Sequence, residues 1–298
     1  MNRWLDRLIS AVVLALVGWA GASLLHWLVS GAAWSVVSSN LPLYAVGSYP
    51  EDERWRPLLW MLLLLLLTLG TLLGPRSGWL RRALPALWMA MVPLGVVLLA
   101  GGLGLLPVPS RDWGGLSLTL LLTVGSAVLA LPLGVMLAIG RQSSLPVLRY
   151  ASAVYIEAMR AVPLIAVLFF GQLLIPLFLP VGVELNRVLR AVIAFAVFAA
   201  AYIAEDVRGG LQAIPPTQIE AAAVLGLSPR QSMQLVVLPQ ALRIALPALT
   251  NQAVGLLQNT SLLAILGLVE LLGISRSLLA NPAFIGRYLE VYLSLIHI

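Results

Sequence analysis

The sequence predicts an all-α integral membrane protein. Of its 298 residues, 60% are hydrophobic and only 10% charged, where an ordinary soluble domain carries about a quarter charged residues. Mean hydropathy is +0.98. The apolar residues also fall in long runs, and a helix needs about 20 of them to cross a bilayer. The short alternating segments of a β-barrel are not seen.

Taken in order, the chain reads as about seven complete transmembrane helices and a truncated eighth. Arg3 and Arg7 precede the run Leu8 to Ser30. That run is long for a signal peptide and no small-residue cleavage site follows it, so it reads as a first span with its N-terminus inside. Gly31 to Pro57 holds Trp34, Tyr44, Tyr49, Trp55 and the acidic Glu51-Asp52-Glu53. It suits an aromatic belt at the membrane interface, or an outer surface that meets a partner. Leu58 to Leu73 is the second span, and Pro75 to Arg82, with Arg76, Arg81 and Arg82, an inner loop. Ala83 to Leu106 is the third span. Leu116 to Gly140 is the fourth, its Pro132 tolerable where neighbouring helices satisfy the backbone. The segment Tyr155 to Leu164 runs into a fifth span that ends at Pro180. After an outer loop, Val181 to Arg190, come a sixth span, Ala191 to Gly210, and a seventh, Pro247 to Gly273. The last run, Tyr288 to Ile298, gives about 16 Å of helix at 1.5 Å per residue, against about 30 Å of hydrocarbon. The expectation is that the reading frame is truncated there or ends in foreign sequence.

Composition excludes several kinds of chemistry. There is no Cys, hence no disulfide framework or thiolate. All 18 basic residues are Arg, so a phosphate loop ending in Lys-Ser or Lys-Thr is impossible. No His-Glu-x-x-His or Gly-x-Ser-x-Gly occurs, and His26 and His297 stand alone. No catalytic residue, no metal and no cofactor is expected. A net charge of +6 would point a soluble protein to nucleic acid. Here it reads as Arg at cytoplasmic helix ends, with no nucleic-acid partner.

Three polar features stand against this apolar background. The first is Gln218 to Leu249. Pro215 and Pro216 precede a helix through Glu220, Ala221 and Ala222, and Gly226 breaks it. Ser228 and Pro229 restart a helix as N-cap and first-turn residue, and Leu238-Pro239 ends it. Two short helices at an angle result, with Glu220 in the first turn of the earlier one. The second feature is charge against the spans, where each ionised group needs a reason. Glu157 and Arg160, and likewise Glu205 and Arg208, are three apart and share a helical face on which they pair. Each pair suits an ion pair at the interface, or a gate or contact along a pathway; Glu205 lies a turn deeper than Arg208. The third is the notch Gln258-Asn259-Thr260-Ser261 in the seventh span. It serves either as interhelical hydrogen bonding or as the lining of a cavity.

Glu220-Ala221-Ala222, Gly226 and Leu238-Pro239 together resemble the EAA loop of the membrane subunits of ABC importers. The form Leu238 to Arg243, with Pro247 and Asn251, is similar to the polar amino-acid branch of that family. Glu157 to Pro163 resembles that branch's Glu-x-x-Arg-Gly-x-Pro, with Ala161 in place of Gly. Tyr202 to Gly210 matches its Tyr-x-x-Glu-x-x-Arg-Gly-Gly. Gln258 to Ser261 is similar to its Lys-Asn-Thr-Ser, with Gln258 in place of Lys. Tyr49 to Pro57 and Pro109 to Leu116 look like the longer membrane subunit of general L-amino-acid importers.

The resemblance implies a type I ABC importer transmembrane core in a bacterial inner membrane. Residues 1–114, which hold all nine Trp, become an N-terminal extension with three spans. Residues 115–298 become the transport domain, with the EAA loop at 215–245. Glu220, Ala221, Ala222, Gly226, Leu238 and Pro239 are then the ATPase-coupling residues. Glu157, Arg160, Glu205, Arg208, Gln258, Asn259, Thr260 and Ser261 are candidates for the pathway or its gating. The implied partners are an ABC ATPase subunit that uses the ATP, a second membrane permease subunit, a periplasmic amino-acid-binding protein and an L-amino-acid substrate. The alternatives are a permease for another small polar solute and a secondary transporter.

Overall fold

The computed structural model describes residues 3–74, 78–180, 182, 183 and 185–296. Arg76 of the expected inner loop, Val181 at the start of the outer loop, and His297 lie outside the described residues. Every regular element among the described residues is helical. Among the described residues, six helices are long and apolar enough to cross a membrane, or seven if one bent pair is a single span.

The first is α1, Arg3–His26, continued by a π turn, Trp27–Gly31. Next come α2, Trp55–Leu72, and α3, Gly78–Ala100. The third span therefore ends earlier than expected. Gly101, Gly102, Leu103 and Gly104 all take positive φ there and turn the chain back, with Gly102 and Leu105 bridged. The fourth span is α4, Gly115–Arg141.

The fifth span differs from the expected unbroken run. α5, Pro146–Ala161, and α6, Leu164–Phe169, meet at 105°. Pro163 has no N–H to continue α5, and it drives Val162 to an extended conformation, φ −92° and ψ 135°. Beyond α6 the chain passes through a π turn, Phe170–Leu174, to Phe178. The sixth span is α7, Arg187–Gln212, capped by the Asn186 side chain on the Val188 N–H.

The seventh span also departs from expectation. After α8, Pro216–Val224, the chain restarts as α9, Pro229–Ser232, and passes without a stop through a π turn, Met233–Val237, into α10, Leu238–Asn259. A final 3-10 stretch carries it to Leu266, making one 38-residue helical run. Leu238-Pro239 therefore does not end a helix. Pro239 follows the π turn, and that wider turn takes up the clash its ring would otherwise make with the carbonyl four residues back. The chain closes with α11, Leu271–Leu279, and α12, Tyr288–Leu295.

Contacts divide the chain into two compact units, Pro42–Ile274 and the pair Met1–Leu41 with Ser275–Ile298. In the smaller unit α1 buries none of its residues. There the Glu290 carboxylate is buried; it accepts from the Ala33 N–H at 3.1 Å and the Arg287 guanidinium at 3.3 Å.

The larger unit is built on α7, which packs along α4 and α10. Its buried face is mostly small: Ala191, Ala194, Ala196, Ala199, Ala200 and Ala204. Without a hydrophobic force between helices in lipid, such faces gain their contact by letting backbones approach. The approach is closest at Gly210, where a Cβ would strike the Ala241 carbonyl oxygen of α10. Tyr155 of α5 donates to the Val197 carbonyl at 2.7 Å. Trp60 of α2 is fully buried and donates to the Met91 carbonyl of α3 at 2.9 Å.

The segment 31–57 is less of a surface than its composition suggests. Arg56 is buried, paired with Glu53 at 2.7 Å and donating to the Leu106 carbonyl at 2.7 Å. Tyr49 is buried too and donates to the Leu99 carbonyl at 2.9 Å, and burial pushes its phenol pKa up.

Gly209 and Gly210 are adjacent, but a Cβ at Gly209 meets nothing within 4 Å. Gly210→Ala is expected to cost about 1–3 kcal/mol, the usual cost of overpacking, and Gly209→Ala to leave stability unchanged or raise it. Thermal melts of the two variants in detergent, followed by size exclusion, check the contrast.

Candidate functional site

Four of the candidate residues meet where α4, α5 and α7 end. The Glu205 side chain of α7 is 17% exposed and faces three guanidinium groups. Arg141, the last residue of α4, donates to it at 2.7 Å. Arg208, one turn on in α7, donates through Nη2 at 2.9 Å and through Nε to both oxygens at 3.2 Å. Arg160 of α5 approaches to 3.6 Å. The expected Glu205–Arg208 pair is thus present within a larger cluster.

The expected pair of Glu157 with Arg160 is not formed. Glu157 instead accepts from the second arm of Arg141 at 3.1 Å. The planar guanidinium of Arg141 serves two carboxylates at once, and Arg160 turns to Glu205 and to the face of Tyr202, 5.7 Å from its ring centroid. Arg141 was missed as a site residue because its partners lie 16 and 64 positions away, so no local spacing announces it. Its place at the end of a span was the one available signal.

One turn before Glu205, Tyr202 lines a cavity of about 330 Å³. Phe198 and Tyr202 of α7, whose ring centroids are 5.0 Å apart, form one wall. Leu164 of α6, Gln252 and Asn259 of α10 and the following Leu262 supply much of the rest. Only Asn259 of the polar notch reaches this space. Thr260 is buried and donates to the Leu257 carbonyl at 2.7 Å, a local bond within the helix. Gln258 is exposed, and neither it nor Ser261 lines the cavity. Gln252 was missed, although it lies seven residues before Asn259 and so on the same helical face.

The coupling segment folds largely as its turn residues dictate. Gly226 has φ +78° and closes α8. Its N–H reaches the Ala223 carbonyl, and the Leu227 N–H the Ala222 carbonyl, so the last carbonyls of α8 are satisfied by a left-handed cap. Ser228 then caps α9 in a reciprocal box with Gln231, at 2.9 and 3.4 Å. Two expectations fail here. α8 begins at Pro216, so Glu220 falls in its second turn. Ala222, expected among the ATPase-coupling residues, is 2% exposed and packs inward rather than lying on the loop's surface. Glu220 and Ala221 are exposed. Beside them Val224 is 87% and Leu225 79% exposed, an apolar pair the motif did not mark out.

Residues 130–286 match the family described as the binding-protein-dependent transport system inner membrane component. The chain is 37% identical over 282 residues to an inner membrane amino-acid ABC transporter permease protein of Escherichia coli, covering 92% of this chain and 75% of that one. It is 36% identical over 320 residues to a glutamate/glutamine/aspartate/asparagine transport system permease of Rhodobacter capsulatus, with 89% and 74% covered. Among solved structures, an amino acid ABC transporter crystallised with histidines superposes with a TM-score of 0.53 at 30% identity, over 61% of this chain and 83% of that one. The chain therefore belongs to the family of inner membrane components of binding-protein-dependent transport systems, and its core is that of a type I ABC importer.

Proposed function

We propose that this chain is the permease subunit of an importer that moves L-amino acids across the bacterial inner membrane, driven by ATP bound on a separate ATPase subunit. A second membrane subunit and a periplasmic amino-acid-binding protein complete the complex. The observation that carries the reading is the juxtaposition in one chain of a cavity with polar groups and a rigidly capped exposed loop. The continuous run Pro229–Leu266 joins the two. The names of the relatives and of the solved structure support the substrate class. Residues 1–114 serve as an extension ahead of the transport domain at 115–298. The start of the family match at residue 130 supports that division.

In this reading the segment 215–245 docks on the ATPase. Glu220, Ala221, Val224 and Leu225 offer its exposed face, and Gly226 sets the angle between α8 and α9. Ala222 acts from inside by packing, and Leu238 and Pro239 by following the π turn into α10. The cluster on Glu205 holds the inner ends of α4, α5 and α7 together and opens when the core changes state. A ligand-driven switch needs contacts that differ between its two states, and the loose 3.6 Å approach of Arg160 is suited to being made and broken.

Uptake of several radiolabelled L-amino acids into vesicles holding the whole complex tests the reading; transport of a single substrate, or of a sugar, would count against it. Gly226→Val forces a β-branched residue into positive φ, which is strained at about 1–2 kcal/mol or more. That variant and Glu220→Lys are expected to insert normally, to retain less ATPase in a pull-down and to lose most uptake. Normal docking with normal uptake would show that the loop is only a connector.

Glu205→Gln removes the carboxylate shared by three guanidinium groups and leaves Glu157, on Arg141, as the one carboxylate ion-paired in the cluster among the described residues. The loss is expected to cost about 3 kcal/mol, as when one partner of a poorly solvated ion pair is removed. Glu205→Asp should retain part of that stability, and denaturation midpoints of the purified complexes read the difference.

A further inference from the structure

We propose that the end of α7 away from the Glu205 cluster, together with the groove between α6 and α7, binds a phospholipid. Arg190 and Arg187 take the headgroup phosphate, and the groove takes one acyl chain. The inference requires that the chain spans a membrane, and it does not depend on what is transported.

Arg190 is a cation that no carboxylate among the described residues answers. It stands in the first turn of α7, 15 residues before Glu205, which is about 22 Å along the helix. With Glu205 at one boundary, that height is near the opposite limit of a hydrocarbon layer about 30 Å thick, where an ionised group needs a reason. None of the ion pairs among the described residues includes Arg190. Its Nη1 donates to the Gln172 carbonyl at 2.7 Å, while its Nε is buried and has no partner among the described residues. The side-chain amide of Gln172, itself buried, donates to the Arg187 carbonyl at 2.8 Å. This reciprocal clamp between the π turn Phe170–Leu174 and α7 holds the guanidinium in place. Arg187 lies three residues before Arg190, hence on the same side of the helix, and is exposed. Two like charges side by side favour a shared anion, and a phosphate group accepts several guanidinium N–H bonds at once.

The space at Arg190 leads into the groove. Arg190 borders a pocket of about 610 Å³ with Pro176, Leu177, Pro180 and Leu185. Ile175, which precedes Pro176, and Ile193, one turn after Arg190, line a second space of about 390 Å³. Every residue that lines this second space is apolar, Val162, Ala166, Gly171 and Val197 among them. Gly171 lets the π turn close on α7, since a Cβ there would come within 2.8 Å of the Ala194 Cβ. From Ala166 to Ile175 the groove follows the chain for about 14 Å at 1.5 Å per residue. One leaflet is about 15 Å deep, half of the hydrocarbon, so an acyl chain lying along the groove spans it. The bend of 105° at the elbow places Met159 and Val162 at the far end. A free anion would satisfy the arginines and leave the groove bare, and an uncharged chain would do the reverse. A phospholipid satisfies both.

The test places the whole complex, purified through a tag on this chain, in phosphatidylglycerol vesicles. A trace of the same lipid carries a photoreactive group on one acyl chain. After illumination, peptide mapping should find the label on residues 166–175. A photoreactive diacylglycerol with the same chains and no phosphate should label that peptide about ten-fold less. Arg190→Gln combined with Arg187→Gln should lower the phospholipid label there about ten-fold, and Arg190→Lys should keep part of it. Ala166→Trp, which fills the groove and leaves both arginines in place, should lower it as far. Labelling of α1, which buries none of its residues, should stay within about two-fold in every variant and so controls for folding and for general lipid contact. Equal labelling by the diacylglycerol overturns the inference. Displacement of the label by inorganic phosphate overturns it as well, since the site would then take a free anion. A cross-link from the groove to another protein chain overturns it in favour of a subunit interface. Unchanged labelling in the arginine variant overturns it too, and is the result expected where Glu184, which lies outside the described residues, answers Arg190.

Discussion

Placing one carboxylate, Glu205, near the end of a membrane helix obliges the surrounding structure to answer it. Ionised groups are costly in or against the hydrocarbon, and pairing repays that cost only when further hydrogen bonds satisfy the group. The answer here is drawn from three helices: Arg141 from α4, Arg160 from α5 and Arg208 from α7. These are the helices that pack on one another, α4 along α7 and α5 against both. The small-residue face of α7 allows that packing, and the charge cluster fixes which ends of the helices coincide. Closeness comes from alanine and glycine, and register comes from arginine.

Proline divides the molecule into parts that bend and parts that continue. Pro163 interrupts the chain because nothing in α5 takes up its missing N–H, and the two segments part at 105°. Pro239 interrupts nothing, because the π turn before it has already widened the helix. Pro85, Pro93, Pro132 and Pro247 sit inside helices that remain helical. In lipid the alternative to a helix is a row of unsatisfied backbone groups, and that cost outweighs the loss of a single hydrogen bond.

What the sequence made legible follows from range. Hydropathy located the apolar runs, since a span is a property of about 20 consecutive residues. The cap at Gly226, the N-cap at Ser228 and the Glu205–Arg208 pair are decided within a few residues and were readable for that reason. The break at Pro163 and the continuity through Pro239 were not, because the same residue stops a helix or is absorbed according to the turn before it. Arg141 was hidden by distance along the chain. Gln252 was hidden by its neighbours, since the more polar run Gln258 to Ser261 drew attention and only Asn259 of that run faces the cavity. The inward burial of Ala222 depends on tertiary packing, which no local spacing encodes.

The run from Pro229 to Leu266 has a mechanical meaning. At 1.5 Å per residue, 38 residues make a rod about 57 Å long, nearly twice the thickness of the hydrocarbon at about 30 Å. One end begins just beyond the Gly226 cap, and Gln252 and Asn259 ride near the other. Tilting such a rod by about 5° displaces its far end by about 5 Å, close to one helical pitch. The π turn Met233–Val237 lies close to the loop end of the run. A single helical run thus connects the surface loop, from just beyond its Gly226 cap, with the two amides that line the cavity.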